Sequence, residues 1–119
     1  MVMTLDEFAK SERIWQIDLL KIDTEGYDLE VLRGATRLLA EGAIKFVIAE
    51  VGFSPGDNRH VLFDDVRSLL IPFGYRLFGI YNQQLERSGP RFIRYTDVCF
   101  CHSSVFALED SYIAENSMK

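Results

Sequence analysis

The chain has 119 residues, 48% of them hydrophobic and 26% charged, which suits one compact globular domain. Its formal net charge of −5 argues against nucleic acid as a partner, because phosphate contacts need clustered Lys and Arg. No apolar run approaches the roughly 20 residues that span a bilayer and no signal peptide is recognisable, so we expect a cytoplasmic protein without membrane contact.

Strand and helix patterns alternate along the first third of the chain. Leu5–Glu12 is predicted to form a short helix, with Thr4 and Glu7 as its capping box. The aliphatic run Ile17–Ile22 predicts a buried strand. Leu29–Ala40 has apolar residues at helical spacing and predicts one helix.

The alternation continues to the end of the chain. In order we predict a strand, a loop, a helix, a strand, a polar loop and a last strand, over Ile44–Glu50, 55–58, Val61–Ile71, Tyr75–Tyr81, 83–90 and Val98–Phe106. Phe92–Tyr95 is expected to extend a strand, and the last strand is expected to break near Ser103 and Ser104. Strands that alternate with helices indicate right-handed crossovers and a parallel sheet. The last connection lacks a helical pattern, so the last strand should run antiparallel, between the second and third.

The first strand bears on whether the sheet is complete. Four strands can form a whole small α/β domain, which is the simpler interpretation. Ile17–Ile22, however, is apolar on both faces, and at a sheet edge it would be exposed to pairing with other chains. We therefore interpret it as a central strand whose neighbour is absent from this sequence.

Two cysteines, Cys99 and Cys101, lie two apart in an apolar run and should share one face of the last strand. Neighbours at this spacing rarely reach disulfide geometry, so we expect buried structural thiols. A Cys-x-Cys-His metal site that includes His102 is the alternative, but no fourth ligand is evident nearby.

Residues 17–34 read IDLLKIDTEGYDLEVLRG, and this stretch resembles the signature of FkbM-type methyltransferases. In that signature a strand ends in Lys-Ile-Asp-x-Glu-Gly, and an acidic residue, Leu-Glu-Val-Leu and a Gly follow. The matching positions here are Lys21, Ile22, Asp23, Glu25, Gly26, Asp28, Leu29, Glu30, Val31, Leu32 and Gly34. Thr4-Leu5-Asp6, Phe46–Glu50 and Gly74-Tyr75 look like further family segments, so the resemblance covers roughly residues 4–106.

The resemblance implies the seven-stranded, Rossmann-like class I methyltransferase fold, whose last strand is inserted antiparallel. The strands here would be the fourth to the seventh, so residues 1–119 would form one partial domain: the C-terminal half of a mostly parallel α/β sheet. The implied cofactor is S-adenosylmethionine. Its Gly-rich loop and ribose-binding acidic residue belong to the absent half, so we expect the chain alone to be inactive.

Three carboxylates are candidate catalytic residues at the C-terminal rim of the sheet. Asp23 ends the first strand, Glu25 lies two residues on, and Glu50 ends the next strand. They could bind the acceptor, take its proton, or share a divalent cation, although no metal site is predicted. The structural alternative is that Asp23 caps the following helix and Glu25 complements its dipole. His60, after the 55–58 loop, is the candidate substrate-binding residue, or else a solvated loop histidine.

The leading function is methylation of a hydroxyl on a sugar or natural product, as the resemblance implies. The alternative is an inactive remnant or interaction module that pairs through its exposed strand edge, with self-association as one consequence.

Overall fold

A computed structural model describes residues 2–106, which form a single mixed α/β unit around a five-stranded sheet. The helices are α1 (Leu5–Ser11), α2 (Asp28–Arg33), α3 (Thr36–Ala40) and α4 (Phe63–Leu70). The strands are β1 (Ile17–Ile22), β2 (Ile44–Gly52), β3 (Val61–Leu62), β4 (Tyr75–Leu85) and β5 (Ile93–His102), and 3₁₀ turns span Ile71–Phe73 and Ser103–Phe106.

The strand order β1-β2-β5-β4 confirms the predicted arrangement of the four long strands. β1 pairs in parallel with β2, while β5 runs antiparallel to both β2 and β4. β4 is therefore parallel to β2, and the ends of β1, β2 and β4 meet the start of β5 at one rim. The short β3 pairs in parallel with the end of β2.

The core forms where the helices cover the middle of the sheet. β2 and β5 form the buried centre of the sheet, because each has neighbours on both sides, and the middle of β5 carries Val98 and Phe100, both essentially without solvent exposure. Leu32 and Leu39 from the helices join the same hydrophobic cluster. The two predicted thiols, Cys99 and Cys101, are buried and free, and burial raises the pKa of each.

The first helix begins as the sequence predicts. The Thr4 hydroxyl accepts a hydrogen bond from the Glu7 N–H at 3.1 Å, and the Glu7 carboxylate accepts one from the Thr4 N–H at 3.2 Å. Both halves of the predicted capping box are thus present, and they fix the start of α1.

The prediction of a single helix over Leu29–Ala40 is wrong, because the chain breaks at Gly34 into α2 and α3. Asp6 of α1 causes the break: its carboxylate accepts the N–H groups of Arg37 at 2.8 Å and Leu38 at 3.1 Å, which caps the new helix start. The Asp6 N–H donates to the Gly34 carbonyl at 2.9 Å. A Cβ on Gly34 would approach the Thr4 side chain within 3.1 Å, so the absence of a side chain at Gly34 allows α1 to pack closely against the break.

Further boundaries differ from prediction. β2 continues past the predicted Glu50 to Gly52, so Glu50 lies within the strand. Val61 and Leu62 form a strand beside β2 instead of the first turn of a helix. Beyond the predicted Tyr81, β4 continues to Leu85, because it stays paired with β5 as a long hairpin. β5 begins at Ile93, so it includes most of the strand extension expected at Phe92–Tyr95 and joins it to the predicted strand at Val98. The expected break near Ser103 and Ser104 is confirmed, since β5 ends at His102 and Ser103–Phe106 forms a 3₁₀ turn.

The described helices are short, and within residues 2–106 none has the length and apolar character to cross a membrane.

We predict that Tyr75→Phe destabilises the fold by about 1–2 kcal/mol, because the buried Tyr75 hydroxyl donates to the Ile44 carbonyl at 2.6 Å. Tyr27→Phe, at a ring 68% exposed, is the matched control and should change the free energy of unfolding by less than about 0.5 kcal/mol. Chemical denaturation of both variants measures this. Equal effects from the two substitutions would contradict a structural role for the buried hydroxyl.

Tyr75 should also affect how the stability of the fold depends on pH in the alkaline range. Burial raises the pKa of Tyr75 to about 12 from its ordinary 10.0. Its contribution is therefore complete below pH 10 and is lost as the pH rises through 12. Tyr75→Phe should lose less stability than the wild type over that range.

Candidate functional site

The turn after β1 presents two of the predicted carboxylates at the rim. Asp23 and Glu25 are both exposed, and Glu25 has a left-handed backbone with φ of 53°, an uncommon conformation for a residue other than glycine. Gly26 follows at φ of 111°, and the backbone of Asn58 and Arg59 lies against it. The tight turn therefore brings the loop after β2 beside the end of β1.

His60 connects two carboxylates in that loop. Its Nε2 lies 2.7 Å from Glu50 Oε1, and its Nδ1 lies 2.7 Å from Asp57 Oδ2. The His60 side chain is only 10% exposed, whereas that of Glu50 is 39% exposed. Glu50 is consequently held at one oxygen and remains open to the solvent.

Asp57 organises the loop that carries His60. Its Oδ1 accepts the N–H groups of Arg59 at 2.9 Å and His60 at 3.2 Å, and its Oδ2 faces the imidazole. Partial burial raises the pKa of Asp57, but the hydrogen bonds from Arg59 and His60 outweigh burial and hold it below the ordinary value. Gly52 makes room for this loop, since a Cβ there would come within 2.8 Å of Asp57 Oδ2.

The ring of Tyr95 extends the cluster onto the next strand. Tyr95 stacks on His60 with ring centroids 4.5 Å apart and planes at 16°. The β2–β5 register places it opposite Gly52, which explains the contact. The guanidinium of Arg94 lies 5.8 Å from the Tyr95 centroid, within reach of a cation–π interaction.

These groups surround an open cleft of about 500 Å³ at the rim, here called the rim cleft. Its walls are Glu25, Glu50, Arg59, His60, Arg87, Arg94 and Tyr95. A narrow recess adjoins it and is lined by Asp23, Thr24, Glu25, Gly26, Asp28, Glu50, Arg59 and His60. The structure thus brings all four predicted site residues, Asp23, Glu25, Glu50 and His60, to one place. Their roles stay predictions.

Asp28 is a buried carboxylate at the back of the recess and is only 2% exposed. Burial raises its pKa, against the lowering effect of hydrogen bonds from the Thr24 hydroxyl and from the backbone at Gly26 and Thr24; the nearby Asp23 raises it further. One oxygen, Oδ2, has no hydrogen-bond partner among the described residues.

Metal ligation is not arranged in the described part of the chain. Within residues 2–106, no three His, Cys, Asp or Glu side chains are grouped so that they could hold an ion, and this covers Cys99, Cys101 and His102. His102 instead contacts Ser104 Oγ at 2.8 Å and the Phe73 carbonyl at 3.1 Å.

Sequence reasoning missed Asp57, Arg59, Arg87, Arg94 and Tyr95 as members of the cleft. Asp57 had a recognisable signal, because an Asp three residues before a His in a Pro-Gly loop can cap the backbone and orient the ring. Arg87, Arg94 and Tyr95 had none, since only the antiparallel insertion of β5 brings them to the rim.

The fold and the cleft define an α/β protein with a polar site beyond the carboxyl ends of parallel strands, the usual ligand position in open α/β sheets. The model of the family described as Methyltransferase FkbM domain matches residues 1–77. The chain therefore belongs to this family of methyltransferases. Residues 78–106, which carry Arg87, Arg94 and Tyr95, lie beyond the matched region. No curated protein and no solved structure matches the chain.

We predict that Gly52→Ala displaces the loop bearing Asp57 and His60 and costs about 1–3 kcal/mol, because the added methyl group meets a carboxylate in a close-packed position. Gly56→Ala in the same loop is the control, since a Cβ there has nothing within 4 Å. Thermal denaturation and the ring proton shifts of Tyr95 report the two effects. A Gly52→Ala protein with unchanged stability and shifts would show that the loop packs differently.

We predict that Asp28→Asn gains thermal stability relative to the wild type as the pH rises. Because the folded pKa of Asp28 is raised above its ordinary 3.8, its stabilising contribution is present below that value and is lost as the pH rises through the folded pKa. Asparagine has no such loss, so the melting temperature of the variant minus that of the wild type should increase from pH 4 to pH 8.

The test is how the difference in melting temperature changes with pH, because the unpartnered amide that Asp28→Asn introduces adds a cost that does not depend on pH. Asp18→Asn, at a side chain 87% exposed, is the control and should give a nearly flat difference. A flat difference for Asp28→Asn as well would mean that the buried carboxylate ionises without penalty.

Proposed function

We propose that this chain carries the acceptor side of an S-adenosylmethionine-dependent O-methyltransferase that acts on a hydroxyl group of a sugar or natural product. The family supports methyl transfer. The assignment of the acceptor side rests on Glu50, a carboxylate that is fixed by His60 at one oxygen and lines the rim cleft. Glu50 Oε2 has no hydrogen-bond partner within the described residues.

Methylation of a hydroxyl requires the oxygen to become a better nucleophile as its proton leaves. A positioned carboxylate can accept that proton, and such general-base catalysis contributes roughly 10²–10⁴-fold to a rate. In this proposal Glu50 takes the proton through Oε2. Asp23 and Glu25, which line the same rim, hold the neighbouring hydroxyl groups of the acceptor as hydrogen-bond acceptors.

His60 serves as a positioning residue in this arrangement. Both of its ring nitrogens lie 2.7 Å from carboxylate oxygens, so each nitrogen–oxygen line needs one proton. The Asp57–His60–Glu50 cluster therefore holds two protons and a net charge of −1, whichever atoms carry them. With both nitrogens occupied, the ring orients Glu50, in place of the direct substrate contact expected from the sequence.

The described residues do not by themselves fit S-adenosylmethionine. The rim cleft is open and its wall includes three guanidinium groups, which disfavour a sulfonium cation. Tyr95 is the aromatic ring in its wall, and His60 already covers one face, so the cleft offers no enclosed slot for adenine. We therefore assign only the acceptor and its proton to these residues.

We further propose that the sheet is the C-terminal half of a class I, Rossmann-like methyltransferase sheet, completed along β1. Among the described strands β1 has β2 as its hydrogen-bonded neighbour on one side, and its other edge is unpaired. Leu19 on this strand is 52% exposed, although it is aliphatic. Such an edge favours the addition of another strand, which would bring the cofactor-binding residues.

The same edge favours the second candidate function, an interaction module without catalysis. Pairing through the strand edge needs β1 but not the cleft, so an interaction module should be unaffected by substitutions at Glu50. Methyl transfer from labelled S-adenosylmethionine to a panel of sugar and polyketide hydroxyls separates the two functions. The chain is expressed from its natural locus, so that any polypeptide encoded with it is present.

We predict that Glu50→Gln lowers kcat by roughly 10²–10⁴-fold with little change in stability, since glutamine can still accept a hydrogen bond from His60 but is not a base. Glu12→Gln, at an exposed carboxylate at the end of α1, is the control and should keep full turnover. Single-turnover rates with each variant measure this. Full turnover in Glu50→Gln would remove Glu50 from the chemistry.

A further inference from the structure

The rim cleft has a charge opposite to that of the chain. The chain has a net charge of −5, yet the cleft wall contains Arg59, Arg87 and Arg94 against two carboxylates, Glu25 and Glu50. Asp57 contacts His60, and the Asp57–His60–Glu50 cluster holds a net charge of −1, so the cleft wall together with Asp57 has a net charge of +1. Because a concave site concentrates the field of its own walls, an anion is favoured here despite the acidic surroundings.

The fold gathers the three arginines from separate parts of the chain. Arg59 lies in the loop after β2, Arg87 lies in the connection between β4 and β5, and Arg94 is near the start of β5. Register shifts between Tyr81 and Leu85 interrupt the β4–β5 ladder just before that connection. Such irregularities bend a strand and re-aim its side chains, and here they lie beside the cleft.

In the described part of the chain, the three guanidinium groups have no acidic partner. Within residues 2–106, Arg59, Arg87 and Arg94 form no ion pair, and their side chains form no hydrogen bonds. Exposed arginines without partners, such as Arg76, also occur elsewhere on the surface, so their freedom alone is ordinary. What distinguishes these three is that they face one cleft.

We propose that the acceptor carries an anionic oxyacid group, a carboxylate or a phosphate ester, which the three arginines bind. The planar guanidinium donates two parallel hydrogen bonds to either group, which suits both equally well. This inference deepens the proposed function and rests on it for the identity of the ligand as the methyl acceptor.

The position of the charges defines how such an acceptor lies. In the strand order β1-β2-β5-β4, the carboxylates of Asp23 and Glu25 follow β1, Glu50 is on β2, and Arg87 and Arg94 are on the β5–β4 side. The anionic group would therefore lie towards the β4–β5 connection. The hydroxyl to be methylated would lie at Glu50, away from the anionic group, where repulsion between the two negative charges is reduced.

Binding of three matched sugars to the 119-residue chain tests the inference: glucose, glucuronate and glucose 6-phosphate. Calorimetric titration at fixed low ionic strength should show at least about 10-fold tighter binding of one or both charged sugars than of glucose, weakening as salt is added. Preference for glucuronate identifies a carboxylate site, and preference for glucose 6-phosphate identifies a phosphate site.

The variants Arg87→Gln and Arg94→Gln should each remove most of this preference, and Arg76→Gln, at an exposed arginine outside the cleft, should keep it. Arg87 is exposed, so its variant is informative even if Arg94→Gln, which loses a contact to Tyr95, folds poorly. Equal binding of glucose and the charged sugars, no saturable binding, or an equal loss in Arg76→Gln would overturn the inference.

The methyl-transfer assay separates this inference from the proposed function. Charged sugars that bind at the arginines while no hydroxyl compound is methylated would retain the anion site and reject the methyltransferase function. A neutral acceptor methylated at the same kcat/KM by the wild type and Arg87→Gln would retain the function and reject the anionic acceptor.

Discussion

The hydrogen bonds between β2 and the antiparallel β5 hold both the core and the cleft in place. Seven registered pairs run from Phe46–Cys101 to Gly52–Tyr95, so one ladder fixes the buried centre and the exposed rim together. β4 reaches the sheet only through β5. If β5 were displaced, the hydrophobic cluster would lose Val98 and Phe100, and Tyr95 would leave its stacking position on His60.

The electrostatics of the rim follow from that scaffold. Asp57 satisfies the backbone of its own loop and holds His60, and His60 holds Glu50, so three side chains are oriented by a chain of short contacts. Each member is partly or largely removed from water, which strengthens these contacts relative to an exposed ion pair. Glu50 is the most exposed of the three side chains.

Two features of the fold were predictable because they depend on local sequence. The capping box at Thr4 and Glu7 needs residues three apart, and the antiparallel direction of β5 needs only a last connection without a helix. The insertion of β5 between β2 and β4 is what the family resemblance implies. The break between α2 and α3 was not predictable, because an apolar stripe runs through it unchanged. The cap at the start of α3 comes from Asp6, about 30 residues away in the chain, and it forms only when α1 packs beside Gly34.

By itself the sequence determined the family, through the contiguous Lys21–Gly34 segment, and placed Asp23 and Glu25 just after β1, because the end of that strand is a local feature. Glu50 lies among the last three residues of β2 instead of at its end. The tertiary structure alone decided which groups surround them. Tyr95 and the arginines of the β4–β5 connection lie more than 30 residues from Glu50, and a register across two strands, which depends on packing over their whole length, brings them to the same rim. The charge of the cleft is a sum over such distant residues, and the order of residues along the chain does not contain it.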